Sequence, residues 1–211
     1  MDRGLSQGSL HAMLGSGRPR VYRAGEVVFH QGDPSDCLYL LRRGRVAVRA
    51  TSPDGDEVTL ALLAAPDEFG EVGLLRDDHH HTATVLALEE VHVVTVGADT
   101  FHRLRADHPE LTEWLLRALV RRLEHTSSLL SDALFVDADV RVARRLLDSY
   151  WAFGSDGDRV PLTQDDLAAM AGVSRPTANR ALRRLESQGV VELGRRHIDI
   201  RDVPALDDVA R

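Results

Sequence analysis

The stretch Leu162–Gly189, LTQDDLAAMAGVSRPTANRALRRLESQG, constrains this chain more than any other. Thr163 is placed to cap a first helix, because its hydroxyl reaches free backbone N–H groups and Asp166, three residues on, completes a capping box. Leu167, Ala168 and Ala171 make a small apolar face that lets another helix come close. Gly172 can adopt the left-handed conformation that ends a helix without a Cβ clash. Ser174 then caps a second helix, and Pro176 falls in its first turn, where a missing N–H removes no intrahelical bond. Ala178, Leu182 and Leu185 share one face of that helix, while Arg175, Asn179, Arg180, Arg183 and Arg184 lie elsewhere on the cylinder. Gly189 closes it. The spacing predicts a helix-turn-helix whose second helix occupies about 175–188.

An ordinary helical hairpin with a solvated basic face would show the same pair, so the continuation matters. Val190–Leu193 and His197–Ile200 read as two short alternating strands around the basic turn Gly194-Arg195-Arg196. A hairpin there is a wing able to touch phosphates, beside a helix with the length and donors to read a major groove. Gly172–Arg201 holds seven Arg against Glu186, Glu192 and Asp199, a local +4 within a net charge of -7, which leaves -11 for the rest. Overall acidity therefore does not exclude nucleic acid, because the local patch governs.

The length, 211 residues, suits one large or two small domains, and 43% hydrophobic with 28% charged residues is a globular composition. No apolar run approaches the ~18 residues of a membrane span, and no signal-peptide core opens the chain, so a cytoplasmic protein with no membrane partner is expected. Cys37 is the single cysteine, which excludes an intrachain disulfide and a four-thiolate iron–sulfur cluster. All 26 basic residues are Arg, a side chain suited to bidentate contacts with guanine and phosphate.

Residues 1–18, with several Gly and Ser, suggest a mobile or weakly helical lead-in. From Val21 to Val96 short alternating strands are separated by Gly, Pro and Asp turns: Val27–Phe29, Cys37–Leu41, Arg45–Val48, Val58–Leu60, Ala83–Leu86 and Val91–Val94. That pattern predicts a small β-barrel or jelly-roll-like domain. A short helix around Asp99–Ala106 and a break at Pro109 precede a long helix at about 110–135. Along it Leu116, Leu119, Leu123, Thr126, Leu130 and Ala133 are spaced 3, 4, 3, 4 and 3, an a/d seam that needs a second copy as a parallel homodimer partner. Leu115, Val120 and Leu129 are the expected second surface, against the β-domain. Val140–Ala152 should open the helix-turn-helix domain. The expected fold is α+β, with 1–137 as β-domain plus dimerisation helix and 138–211 as winged helix-turn-helix domain.

Gly25, Gln31-Gly32-Asp33, Tyr39, Gly44 and Phe69-Gly70-Glu71, followed by the long helix and the winged helix-turn-helix, resemble the cyclic-AMP receptor protein and fumarate–nitrate regulator (CRP/FNR) superfamily of bacterial transcription factors. The resemblance covers about 20–201. It implies a cyclic-nucleotide-binding β-roll and a sequence-specific regulator that binds double-stranded DNA as a homodimer on a palindromic operator, with RNA polymerase as a possible further partner. It leaves open whether polymerase is recruited or blocked.

In cyclic-nucleotide-responsive members a Gly-Glu pair, an Arg-Ser or Arg-Thr pair and a Thr-Ser pair on the long helix hold the ligand. Gly70, Glu71, Thr82, Thr126 and Ser127 match that arrangement, but His81 stands where the phosphate-binding Arg belongs. Two expectations stay open: cyclic AMP held weakly through His81, or a regulator that needs no cyclic nucleotide. In the family's Arg-Glu-Thr-x-x-Arg stretch this chain has Arg175-Pro176-Thr177-Ala178-Asn179-Arg180. Arg175 and Arg180 keep the guanine-binding positions, Pro176 loses the Glu contact, and Asn179 is an adenine or phosphate candidate. Ser174, Thr177, Arg195 and Arg196 are expected on phosphates. The run His79-His80-His81 raises a third possibility, a cupin-like metal enzyme, but adjacent strand residues point to opposite faces and no catalytic constellation accompanies them.

Overall fold

The computed structural model describes residues 5–55, 57–76, 78–153 and 159–211. They form two compact units, one from 1–56 and 62–125, the other from 57–61 and 126–211.

The first unit opens with helix α1 (Gln7–Ser16), capped by Ser6, whose side chain accepts from the backbone N–H of Ser9. Eight strands follow: β1 (Arg18–Tyr22), β2 (Val27–Phe29), β3 (Cys37–Arg43), β4 (Arg45–Thr51), β5 (Glu57–Ala64), β6 (Asp67–Phe69), β7 (Thr84–Ala87) and β8 (Val91–Gly97), with the short helix α2 (Glu71–Leu75) after β6. They make two four-stranded sheets, ordered β1-β8-β3-β6 and β2-β7-β4-β5, which is the β-roll expected from the alternating pattern. The alternation shows in the burial: Leu38 and Leu40 of β3 and Val91 and Val93 of β8 are buried, with half-buried residues between them. Helices α3 (Ala98–Asp107) and α4 (Glu110–Phe135) complete the unit's framework, α4 continuing into the second unit.

Two expectations change here. Of the two alternatives for the lead-in, residues 7–16 are helical and not mobile, and they are a core element besides: Met13 is fully buried in a cluster with Leu38, Phe101 and Trp114. Ser9, also fully buried, bonds to His108 Nδ1 and to Glu110 at the α3–α4 junction. Residues 1–4 of that lead-in lie outside the described residues. The β-roll face of α4 is Leu111, Trp114, Leu115 and Ala118, at positions i, i+3, i+4 and i+7, whereas Val120 is 53% exposed. Five residues of helix turn Val120 about 140° from Leu115, so the two cannot share a face. Leu129 is half-buried.

The second unit holds the end of α4, then α5 (Ala138–Phe153), β9 (Arg159–Val160), α6 (Gln164–Ala171), α7 (Arg175–Ser187), β10 (Val191–Leu193), β11 (Ile198–Ile200) and α8 (Val203–Ala210). Buried Asp132, in the last turn of α4, accepts from Arg144 Nη1 at 2.6 Å and from Arg145, both on α5. Arg141 Nη1 donates to the Val136 carbonyl and Nε to that of Ala171, which ties the α4–α5 link to the end of α6. The wing gains a third strand, in the order β10-β11-β9, and α8 closes the unit through buried Leu206. Neither β9 nor α8 carries enough periodicity to be read from sequence. No helix among the described residues is long and apolar enough to cross a membrane.

Because Met13 is at 0% exposure in the core of the first unit, Met13→Ala should destabilise that unit by ~2–5 kcal/mol, the range for emptying a buried methionine site. Denaturant titration would show this as a lowered midpoint. An unchanged midpoint would mean that α1 is not part of the core.

Candidate functional sites

In the first unit the turn between β6 and α2 is shaped by Gly70, in the left-handed region at φ 88°. A Cβ there would meet the Cys37 carbonyl oxygen and the Tyr39 ring, both at 2.9 Å, so only glycine fits. Glu71, at 2% exposure, accepts from Arg122 Nε at 2.9 Å, and Arg122 also donates to the Glu68 carbonyl at 2.7 Å. The neighbouring Arg121 pairs with the buried Glu68 carboxylate at 3.0 Å. Burial and then Asp67 raise the Glu68 pKa above the ordinary carboxylate value against the pull of Arg121. Two successive arginines of α4 thus hold both buried carboxylates of this turn. Sequence reasoning missed them, although Arg122 continues the stripe Leu111, Leu115 and Ala118, and a charge on a buried stripe calls for a buried acid.

His81 is buried at 5% exposure and stacks on Phe29, ring centroids 3.5 Å apart and planes 6° apart. Tyr39 stacks on Phe69 in the same aromatic cluster. Burial lowers the His81 pKa from its ordinary value, outweighing Asp33 and Asp36, and so favours the neutral imidazole. Thr82 is exposed. Arg76, the arginine nearest in sequence, is bound by Asp78, whose carboxyl it holds down to about 2. Thr126 and Ser127 are exposed on the part of α4 that belongs to the second unit. The group is therefore Gly70, Glu71 and His81 around an aromatic cluster and an internal ion pair. In this set His81 stands where the resemblance places the arginine that pairs with a cyclic phosphate. His79 and His80 are exposed, and among the described residues no group of three or more His, Cys, Asp or Glu is placed to hold a metal ion.

In the second unit the helix-turn-helix forms from the signals read in the sequence. Thr163 and Asp166 make the capping box of α6, Gly172 ends α6 in the left-handed region at φ 59°, and Ser174 caps α7 by accepting from the Thr177 N–H. Ala178, Ala181, Leu182 and Leu185 of α7 are buried, which turns its remaining side chains outward. The Ser174 and Thr177 hydroxyls lie 3.0 Å apart. Asn179 Nδ2 donates to Gln164 Oε1 at 2.6 Å, and Arg175 Nε lies 2.9 Å from Asp165 Oδ1. Wing and helices border a cleft of ≈ 300 Å³ whose lining includes Thr163, Gln164, Asp165, Arg175, Arg196 and His197. Gln164 and Asp165 were not singled out from the sequence, and their place in the first turn of α6 carried no separate signal.

Four of the seven arginines of this region have acidic partners: Arg175 with Asp165, Arg183 with Glu186, Arg184 with Asp139, and Arg201 with Glu192 and Asp199. Among the described residues no acid pairs with Arg180 on α7 or with Arg195 and Arg196 on the wing, and all three are exposed.

Residues 19–108 match the family model of the cyclic nucleotide-binding domain, and 140–209 that of the Crp-like helix-turn-helix domain. A CRP-like cAMP-activated global transcriptional regulator of Mycobacterium tuberculosis is 33% identical over 214 residues, covering 99% of this chain and 95% of that protein. The cyclic AMP receptor protein of Thermus thermophilus is 32% identical over 207 residues, 98% of this chain and 94% of that protein. Among solved structures, the Thermus thermophilus catabolite activator protein matches with TM-score 0.57 at 33% identity, covering 99% of this chain and 96% of that one. The global regulator CLP of Xanthomonas campestris, at 22% identity, matches in fold with TM-score 0.84 over 92% of this chain and 99% of that one.

The buried imidazole gives a test. A histidine whose folded pKa lies below its unfolded value contributes stability that is present above about pH 6.5 and lost as pH falls through the folded pKa. His81→Phe keeps a ring to stack on Phe29 and removes the titration. In thermal melts the wild type should lose stability relative to His81→Phe as pH falls below 6.5. Parallel pH profiles would show that His81 is not buried neutral. Glu68, raised by burial, works in the opposite direction in both proteins and cancels in the comparison.

Proposed function

We propose, because the chain belongs to the CRP/FNR family of DNA-binding transcription regulators with a cyclic-nucleotide-binding domain, that it binds a palindromic operator as a homodimer and does so without a cyclic nucleotide. The chain is a transcription regulator and not an enzyme. The observation that carries the DNA reading is the trio Arg180, Arg195 and Arg196, exposed cations left without acids in a net acidic protein. Exposed guanidinium groups without acidic neighbours leave a local positive patch that a polyanion can neutralise with release of its counterions. Arg180, together with Arg175, is assigned to guanine edges in the major groove, and Asn179 to an adenine or phosphate. Ser174, Thr177, Arg195 and Arg196 are assigned to phosphates, where they set register and not sequence. We place the boundary between sensor and DNA-binding domains after residue 137, and the site of action in the bacterial cytoplasm, with RNA polymerase as the further partner.

Effector independence rests on the sensor turn. Glu71 is held by Arg122, His81 is favoured neutral, and Arg76 is engaged by Asp78. Losing a charge-assisted bond to a buried anion costs ~1.5–3 kcal/mol, or about one to two decades of affinity. The relatives in Mycobacterium and Thermus are named for cyclic AMP, so this chain would be a departure from them.

Selection of duplexes from a randomised pool tests both parts. The wild type should recover G-containing half-sites about one helical turn apart, with the same affinity whether or not cyclic AMP is present, and Arg180→Ala should lose the discrimination. No sequence preference in the wild type would overturn the DNA reading, and binding only with cyclic AMP would overturn effector independence.

Dimerisation is assigned to the α4 seam of Leu116, Leu119, Leu123, Thr126, Leu130 and Ala133. Leu116, Leu123 and Leu130 are 57%, 68% and 61% exposed, an apolar stripe of the kind that a second helix covers. Leu123→Asp should therefore convert the dimer to a monomer by light scattering. A dimer mass for this variant would show that the seam is drawn on the wrong face.

A further inference from the structure

Two residues of α6 contact two of the side chains that α7 would offer to bases, Asp165 by an ion pair and Gln164 by a hydrogen bond. Asp165 Oδ1 lies 2.9 Å from Arg175 Nε, and Gln164 Oε1 accepts from Asn179 Nδ2 at 2.6 Å. Resting on the DNA reading above, we infer that Asp165 is a specificity-determining positioning residue: its carboxylate fixes the Arg175 guanidinium so that the terminal nitrogens meet a guanine edge, while its own charge discourages binding to other duplexes.

The chemistry follows from the fork shape of arginine. The carboxylate stands at the Nε side of the guanidinium, and among the described residues no hydrogen bond engages Nη1 or Nη2 of Arg175. Those two nitrogens are the pair that bonds guanine O6 and N7 end-on. An arginine on an exposed helix otherwise samples many rotamers, and ordering one on binding costs ~0.5–1.5 kcal/mol. Holding it in advance removes part of that cost only where a guanine waits. Both partners are exposed, Arg175 at 72% and Asp165 at 58% by side chain, so the ion pair itself adds little to folding. Its position matters more. Asp165 and Arg175 line the same cleft as Arg196 and His197 of the wing, so the carboxylate stands among groups assigned to the DNA. A negative charge there opposes every phosphate equally, and its cost is recovered only when Arg175 finds its base. Gln164 does the same for Asn179 through a neutral contact, without the electrostatic penalty.

Asp165 also sits in the first turn of α6, where a carboxylate favours the helix dipole. If that were its whole role, Asp165→Ala would lower the melting temperature and leave base preference untouched. The test is selection from a randomised duplex pool with full-length wild type, Asp165→Ala, Arg175→Ala and the double variant, beside salt titrations on a random-sequence duplex. Asp165→Ala should lose guanine preference at one symmetric pair of positions, by about tenfold, within the range for one bidentate contact. Other positions should stay as they are. Affinity for the random duplex should rise, and its salt slope should steepen by up to about one unit, as when one more guanidinium neutralises a phosphate. In the Arg175→Ala background the Asp165 change should leave base preference unaltered, since the two act as one unit. A wild type that discriminates while Asp165→Ala selects the same site with the same preference overturns the positioning role. A wild type with no preference at any position removes the DNA reading, and this inference with it.

Discussion

Much of this structure depends on what α4 must cover. Its 26 residues span about 39 Å at the usual rise, and its first three turns bury Leu111, Trp114, Leu115 and Ala118 in the β-roll core. One turn further on, Arg121 and Arg122 take the place of apolar residues and bind the carboxylates of Glu68 and Glu71. Removing one member of a buried pair of this kind leaves the other charge uncompensated, at ~3–5 kcal/mol. The helix is thus fastened to the β6–α2 turn by charge where it can no longer be fastened by grease. Its opposite stripe is left apolar and open, and its last turn presents Asp132 to Arg144 and Arg145 of α5. A single helix therefore covers a core, carries an exposed apolar stripe and binds α5, with the stripe turned away from the residues that serve the other two.

Charge is distributed on the same economy. The chain is acidic overall, yet among the described residues acids accompany most arginines of the second unit and are withheld from Arg180, Arg195 and Arg196 on its exposed face. On the wing, Asp199 lies 2.8 Å from Arg159 and 3.8 Å from Arg201, so the cations near the base of the hairpin are neutralised while Arg195 and Arg196 at its turn are not. Arg196 takes the left-handed region at φ 67°, which a non-glycine residue enters at a cost, and it does so where the hairpin reverses. A net charge of -7 repels nonspecific polyanions at long range, while the local group dominates within a Debye length of ~8–10 Å.

The parts legible in the sequence were those whose signal is local. The Thr163–Asp166 box, Gly172, Ser174 and Pro176 define α6 and α7 almost to the residue because caps act within one turn. Six of the eight strands of the roll came from alternation, while β1 and β6 did not, and the ends of α4 came from Pro109 and the hydrophobic spacing. What failed to show was whatever depends on a partner distant in sequence. Met13 looks like a residue in a Gly- and Ser-rich lead-in until Phe101 and Trp114 are seen around it. Val120 looked inward-facing because spacing alone does not say which of two apolar stripes meets the roll. β9 has only two residues and acquires strand character from its pairing with Ile198 and Asp199. At the sensor turn the sequence located Gly70, Glu71 and His81, but the ion pair with Arg122 and the stacking on Phe29 exist only once 51 and 52 residues of chain have been folded between partners.

Position 81 shows how one exchange can invert the logic of a pocket. An arginine buried there without an anion would carry the desolvation of a full charge, so the ligand-free state would be penalised until an anion arrived. A ligand that relieves such a penalty stabilises the folded protein and becomes its switch. Histidine can be buried as the neutral ring, and here it stacks on Phe29 and adds to the aromatic cluster with Tyr39 and Phe69. The free state then has nothing for an anion to relieve. Glu71 reinforces this, because its carboxylate already has the Arg122 guanidinium as partner and would have to share it with an incoming hydroxyl. On the proposed reading, a site built this way would give a cyclic phosphate little differential affinity between conformations, and a ligand without differential affinity shifts no equilibrium.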